Sequence, residues 1–151
     1  MLICEMAAFY KLQGQTLLDV MHDIYKTFGY YVNQVANYAF EGAAGMEKMH
    51  QIMDTLRSHA PKAFAGHPVL AVSDYESSVC TSLADGTKTP IDLPKSNVLA
   101  YKLEGGAGVI VRPSGTEPKI KTYVTAVGTD MASAQAAADA LTASAAKYME
   151  A

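Results

Sequence analysis

The stretch that decides the fold is Val111-Arg112-Pro113-Ser114-Gly115-Thr116-Glu117-Pro118-Lys119-Ile120-Lys121. Two segments that read as strands, Gly108 to Arg112 and Lys119 to Val127, flank a Ser-Gly-Thr tip, and Pro113 and Pro118 restrict φ on either side of it. The segment is therefore a hairpin loop. Such a tip can direct backbone N–H groups into a concavity, offer two hydroxyls and, through Gly115, bring an anion close to the main chain. Arg112 adds a planar fork that can grip a phosphate or carboxylate bidentately. Residues 112–121 carry three basic side chains and one acidic one, a local charge of +2 in a chain whose net charge is −3. On composition alone an ordinary tight turn accounts for the same residues equally well. A Walker A loop is excluded, because that motif leads from a strand into a helix, whereas this loop leads from strand to strand.

Outward from the loop, the sheet takes shape by alternation. In the strand after it, Ile120, Thr122, Val124 and Ala126 point to one side and Lys119, Lys121, Tyr123 and Thr125 to the other, so one face is core and the other open. Val69 to Ser73 and Val98 to Leu103 read as further strands, and Ser77 to Pro94 as a polar loop. Asp130 is placed to cap a final alanine-rich helix whose inner stripe is Ala134, Ala137, Ala138, Leu141, Ala145 and Tyr148. Upstream, Thr16 and Asp19 stand in capping-box spacing before Leu17, Val20, Met21, Ile24, Tyr25 and Phe28, and Gly29 ends that helix. Tyr30 to Phe40 suits a strand. Gly42 and Gly45 then open a helix striped by Met46, Met49, Met53 and Leu56 and closed by Pro61; such a methionine stripe reads as core filling. The expected class is α+β, a two-layer antiparallel sheet with helices on one face, preceded by N-terminal helices.

Residues 2–12 are anomalous. Leu2, Ile3, Met6, Phe9, Tyr10 and Leu12 lie nearly all round a helix, the pattern of an element enclosed on most sides, and no capping residue precedes them. That reads as a piece of something longer, with a terminal helix packed into its own core as the alternative.

Composition narrows the function classes. At 151 residues the chain fits about one domain, since domains run ~100 to 200 residues. Twelve basic residues against fifteen acidic ones, with no basic stripe, supply no field for nucleic acid or an anionic membrane. Cys4 and Cys80 are too few for a disulfide framework and are expected to be free thiols of a cytoplasmic protein. No apolar run reaches the ~20 residues of a membrane span. His22, His50, His59 and His67 show no ligand spacing, so no metal or other cofactor is expected in this chain. Asp74 and Glu76, two apart after a strand, are too commonplace a pairing to be read as an acid/base couple.

RPSGTEPKIK, with LICEMAAFYKLQGQTLLDVMHDIYKTFGYY, GMEKMHQIMDTLR, the SDY at 73–75 and LPKSNVLAYKLEGG, resembles the C-terminal end of bacterial members of the α-D-phosphohexomutase superfamily, the phosphoglucomutases and phosphomannomutases. The resemblance implies a last domain with a TATA-box-binding-protein-like fold at residues 31–151, and makes residues 1–30 the helical tail of a third domain. It implies a four-domain isomerase that transfers a phosphoryl group within a hexose phosphate. In it, Arg112, Ser114, Gly115, Thr116 and Lys121 would hold the phosphate that is not reacting while the cleft closes. The ligand would be a phosphosugar, or inorganic phosphate or sulfate in its place. The superfamily's phosphoserine loop, its Mg²⁺ loop and its sugar-reading loop are not found in this sequence. Mg²⁺ is therefore expected in another part of the parent enzyme, and these residues alone are expected to be inactive. Alternatives are another branch, such as phosphoglucosamine mutase or a phosphopentomutase-like relative, or a non-catalytic module that forms a homo-oligomer through the apolar N-terminal helix.

Overall fold

The computed structural model describes residues 1–42 and 44–150. The chain runs α1 (Leu2–Leu12), α2 (Leu17–Phe28), β1 (Tyr30–Ala39), α3 (Gly45–Ser58), β2 (Ala63–Phe64), β3 (His67–Asp74), β4 (Val79–Ser82), β5 (Lys88–Pro90) and β6 (Leu99–Leu103). A 3-10 turn at Glu104–Gly106 leads into β7 (Gly108–Pro113), β8 (Lys119–Gly128) and α4 (Met131–Ala146). The strands form one sheet in the order β1-β8-β7-β6-β3-β4-β5, with β2 beside β3, and every pairing is antiparallel. The expected α+β class is the one observed.

Alternation in β8 separates the two faces as expected. Ile120, Thr122, Val124 and Ala126 are buried, while the residues between them stay partly exposed. The buried side chains meet Met49, Ile52, Met53 and Leu56 of α3 and Ala138, Leu141 and Ala145 of α4 in one core, which Leu99, Leu103, Val109 and Val111 complete from the neighbouring strands. Each fully buried aliphatic side chain in that layer contributes about 1.5–3 kcal/mol. Alanines let α4 lie close to the sheet, and Gln34 ties β1 to it by donating to Asp139 at 2.7 Å and accepting from Thr142 at 2.8 Å. Tyr101, also buried, donates its hydroxyl to the Leu56 carbonyl at 3.3 Å.

The caps follow the sequence. Thr16 and Asp19 form a reciprocal capping box on α2, and Asp130 and Ser133 form another on α4. Gly29 ends α2 at φ 99°, in the left-handed region that favours glycine.

Two expectations are corrected. The stretch from Ser77 to Pro94 is not a loop but contains β4 and β5, which extend the sheet through pairs such as Cys80–Thr89. These strands sit at the sheet margin, where polar residues serve on both sides and no alternation signals a strand. Met46 is 39% exposed in the first turn of α3, and Ile52 completes the stripe, because a spacing of three or four fits either residue. Helix α1 has no buried residue and α2 is its main neighbour, so the all-round apolar pattern is not enclosed by this chain's own core. Leu2, Ile3 and Phe9 keep 72%, 65% and 59% exposure.

At the other end of the helical layer, Arg57 gathers separate segments. Its guanidinium reaches Asp74 at 3.3 Å and Glu76 at 2.6 Å, and hydrogen-bonds Asn97. Asp74 and Glu76 are thus partners of an arginine, clamping the end of α3 to the β3–β4 turn. No helix among the described residues is long and apolar enough to cross a membrane.

Candidate phosphate-binding site

The open face of β7 and β8 and the loop between them enclose a depression of about 310 Å³. Arg112 and Pro113 line it from β7, Ser114, Gly115 and Glu117 from the loop, and Lys119, Lys121 and Tyr123 from β8. Arg112 lies directly across the ladder from Lys121, whose other neighbour, on β1, is Asn37. Strand period places them together: Arg112, Lys119, Lys121 and Tyr123 all occupy the non-core side. Of the residues singled out from sequence, Arg112, Ser114, Gly115 and Lys121 come together, and Thr116, exposed at the tip, falls outside the lining.

The loop is fixed at its base. Ser114 N–H donates to the Lys119 carbonyl at 2.8 Å, Lys119 N–H to the Glu117 carbonyl at 2.7 Å, and Phe40 N–H to the Pro118 carbonyl at 2.8 Å. The start of α3 presses on the same point: a Cβ at Gly45 would lie 2.5 Å from the Phe40 carbonyl oxygen and 3.1 Å from Pro118 Cβ. Only glycine allows that approach.

At the tip, the donors divide by what they already bind. Ser114 N–H is engaged, so this residue offers its hydroxyl rather than its amide. Ser114 Oγ accepts from Thr116 N–H at 3.4 Å and Glu117 N–H at 3.3 Å, which leaves its own proton to be donated outward.

Lys119 and Glu117 were not singled out as ligand-contacting residues, yet both line the depression and pair with each other. The alternation that selects Lys121 also places Lys119 on the open face, and that was the available signal. A hydrogen bond from Lys119, with the charges of Lys119 and Lys121, holds the Glu117 carboxyl below its ordinary value. Three cations and one carboxylate leave the lining at +2, against −3 for the whole chain. Chemically the arrangement is a shallow anion cradle with a fork, a hydroxyl and two ammonium groups. Among the described residues no three His, Cys, Asp or Glu side chains converge so as to hold a metal ion.

The C-terminal domain of phosphoglucomutase/phosphomannomutase matches residues 57–143, a span that contains the whole loop. The chain belongs to this family. It is 41% identical over 123 residues to a phosphoglucomutase of Staphylococcus aureus (strain MRSA252), a match that covers 82% of the chain and 22% of that protein. Its identity to a phosphoglucomutase of Staphylococcus haemolyticus (strain JCSC1435) is 37% over 123 residues, with the same coverage. Among solved structures, the open form of the exocytosis-sensitive phosphoprotein pp63/parafusin, a phosphoglucomutase from Paramecium, matches with a TM-score of 0.59. That match covers 93% of this chain and 24% of the other at 15% identity, a likeness of fold. The chain thus spans about a fifth of the length of its phosphoglucomutase relatives.

Proposed function

We propose that this family member binds the non-reacting phosphate of a hexose phosphate and helps to close the cleft in which a parent phosphoglucomutase or phosphomannomutase transfers a phosphoryl group. The observation that carries this reading is the convergence of Arg112, Ser114, Gly115 and Lys121 on one basic depression, with Lys119 beside them. Phosphoryl transfer depends mainly on positioning and on stabilising charge. A domain that fixes the distal phosphate supplies the first of these, and the fork of Arg112 and the Ser114 hydroxyl suit its oxygens. Thr116 would join them on a small movement of the tip. Residues 1–30 belong, in this reading, to the preceding domain of the parent, and the fact that neither α1 nor α2 has a buried residue supports it. The phosphoserine, the Mg²⁺ and the sugar selector are assigned to other parts of the parent.

Charge-assisted hydrogen bonds contribute roughly 1.5–3 kcal/mol each, and association costs at least ~4 kcal/mol. Three or four contacts therefore leave affinity near the millimolar range. Titration of the ¹⁵N-labelled chain with inorganic phosphate is expected to move the non-proline amides of residues 112–121 in a salt-sensitive way, and Arg112→Ala to abolish the shifts. Unmoved amides in the unmutated chain would overturn the reading. Assayed alone, the chain is expected not to convert glucose 1-phosphate to glucose 6-phosphate.

A further inference from the structure

We infer that Glu117 is an internal occupant of this cradle, a carboxylate that Lys119 exchanges for the oxyanion of the incoming ligand. The inference rests on the phosphate-binding reading above and adds a competing anion to it.

Glu117 is the acidic member of a lining that otherwise carries Arg112, Lys119 and Lys121, and its carboxylate already holds the Lys119 ammonium. The main chain around it is tied on both sides: its N–H donates to Ser114 Oγ and its carbonyl accepts from Lys119 N–H. The side chain is the part free to rotate, and at 60% exposure it can turn into water with its charge solvated. Lys119 is less free, with 33% of its side chain exposed. A dianion seated against Arg112 and the Ser114 hydroxyl meets the Glu117 carboxylate as a like charge at close range and Lys119 as an unlike one. Rotation of Glu117 outward relieves the first contact and releases Lys119 for the second. The lowered carboxyl pKa of Glu117 agrees with a carboxylate held among cations.

The opposite role for this pair is a tie that keeps the loop in shape, and the two roles differ in sign. If Glu117 competes with the ligand, Glu117→Gln tightens anion binding; if it braces the loop, the same change weakens it. Inorganic sulfate is a suitable probe, because its charge stays fixed through the neutral range. In ¹⁵N titrations of the full chain, Glu117→Gln is expected to bind sulfate about two- to five-fold more tightly, the range an exposed ion pair is worth. In the unmutated chain, the side-chain ¹³C carboxyl signal of Glu117 is expected to move with the same midpoint as the Gly115 amide. Equal or weaker sulfate binding by Glu117→Gln, or a Glu117 carboxyl signal that stays still while the loop amides saturate, overturns the exchange and leaves phosphate binding standing. The carboxyl measurement needs no variant. Amides that respond to sulfate in neither protein would overturn both readings together.

Discussion

Arg112 and Lys121 stand directly opposite each other across the β7–β8 ladder, on the face that the core does not use. Two cations so placed repel one another, and the pairing becomes favourable when an anion lies between them. Arg112→Lys retains the charge and discards the fork. Sulfate affinity of that variant is expected to fall by about 1 kcal/mol, roughly five-fold. Calorimetric or NMR titration at low and high salt checks this, and the loss should persist at high salt, since it arises from geometry rather than charge.

The Arg57 clamp gives stability a dependence on acid. Burial pushes the Asp74 carboxyl up, but hydrogen bonds from Ser77 and the Glu76 N–H, with the charge and hydrogen bond of Arg57, outweigh it and leave the group below its ordinary value. Asp85, in the β4–β5 turn, is held down to about 2 by Ser82 and Thr87. A carboxyl whose folded pKa lies below its unfolded one stabilises the fold above the unfolded value, and that contribution disappears as pH falls through the folded one. Urea midpoints are therefore expected to fall between the ordinary carboxylate range near ~4 and about 2. Arg57→Met is expected to cost about 1–3 kcal/mol at neutral pH, by stranding partners of the guanidinium.

Thr122 is fully buried on the core side of β8, and among the described residues its hydroxyl has no hydrogen-bond partner. A buried hydroxyl without a partner costs about 1–3 kcal/mol relative to water. Thr122→Val removes that group and keeps the branched shape. Thermal unfolding is expected to show a higher midpoint for the variant, with phosphate titration unchanged, because the cradle lies on the other face of the strand.

The exposed apolar faces of α1 and α2 are expected to draw copies of this chain together in solution, since Leu2, Leu12, Leu18 and Phe28 are each more than two-thirds exposed, at 72%, 89%, 72% and 71%. Light scattering should report a mass above the monomer's for the full chain, and the monomer mass for a chain beginning at Tyr30. The same number of subunits in both chains would overturn association through these helices.

Much of this architecture was legible in the residues. Two helices announced themselves through their caps, the Thr16–Asp19 pair and Asp130, and β8 through the alternation from Lys119 to Val127. These signals are local and carry through to the fold. What failed was non-local or ambiguous. Cys80, Thr81 and Ser82 look like loop residues because the sheet margin asks for no apolar face, and Met46 and Ile52 compete for one stripe at equally good spacing. In the candidate site, the reading located the hairpin and Arg112, but which amides were already bound could be known only once Lys119 O was seen to accept from Ser114 N–H. That Glu117 lines the depression and pairs there with Lys119 is seen only in the structure.

Strands β7 and β8 assign alternate positions to different tasks, Lys119, Lys121 and Tyr123 of β8 bordering the cradle and Ile120, Thr122, Val124 and Ala126 filling the interior. A change at Lys119, Lys121 or Tyr123 alters what the domain can grip while leaving Ile120, Thr122 and Val124 in place. Descendants of this sequence can therefore drift toward new ligands one residue at a time without first having to survive a weakened fold.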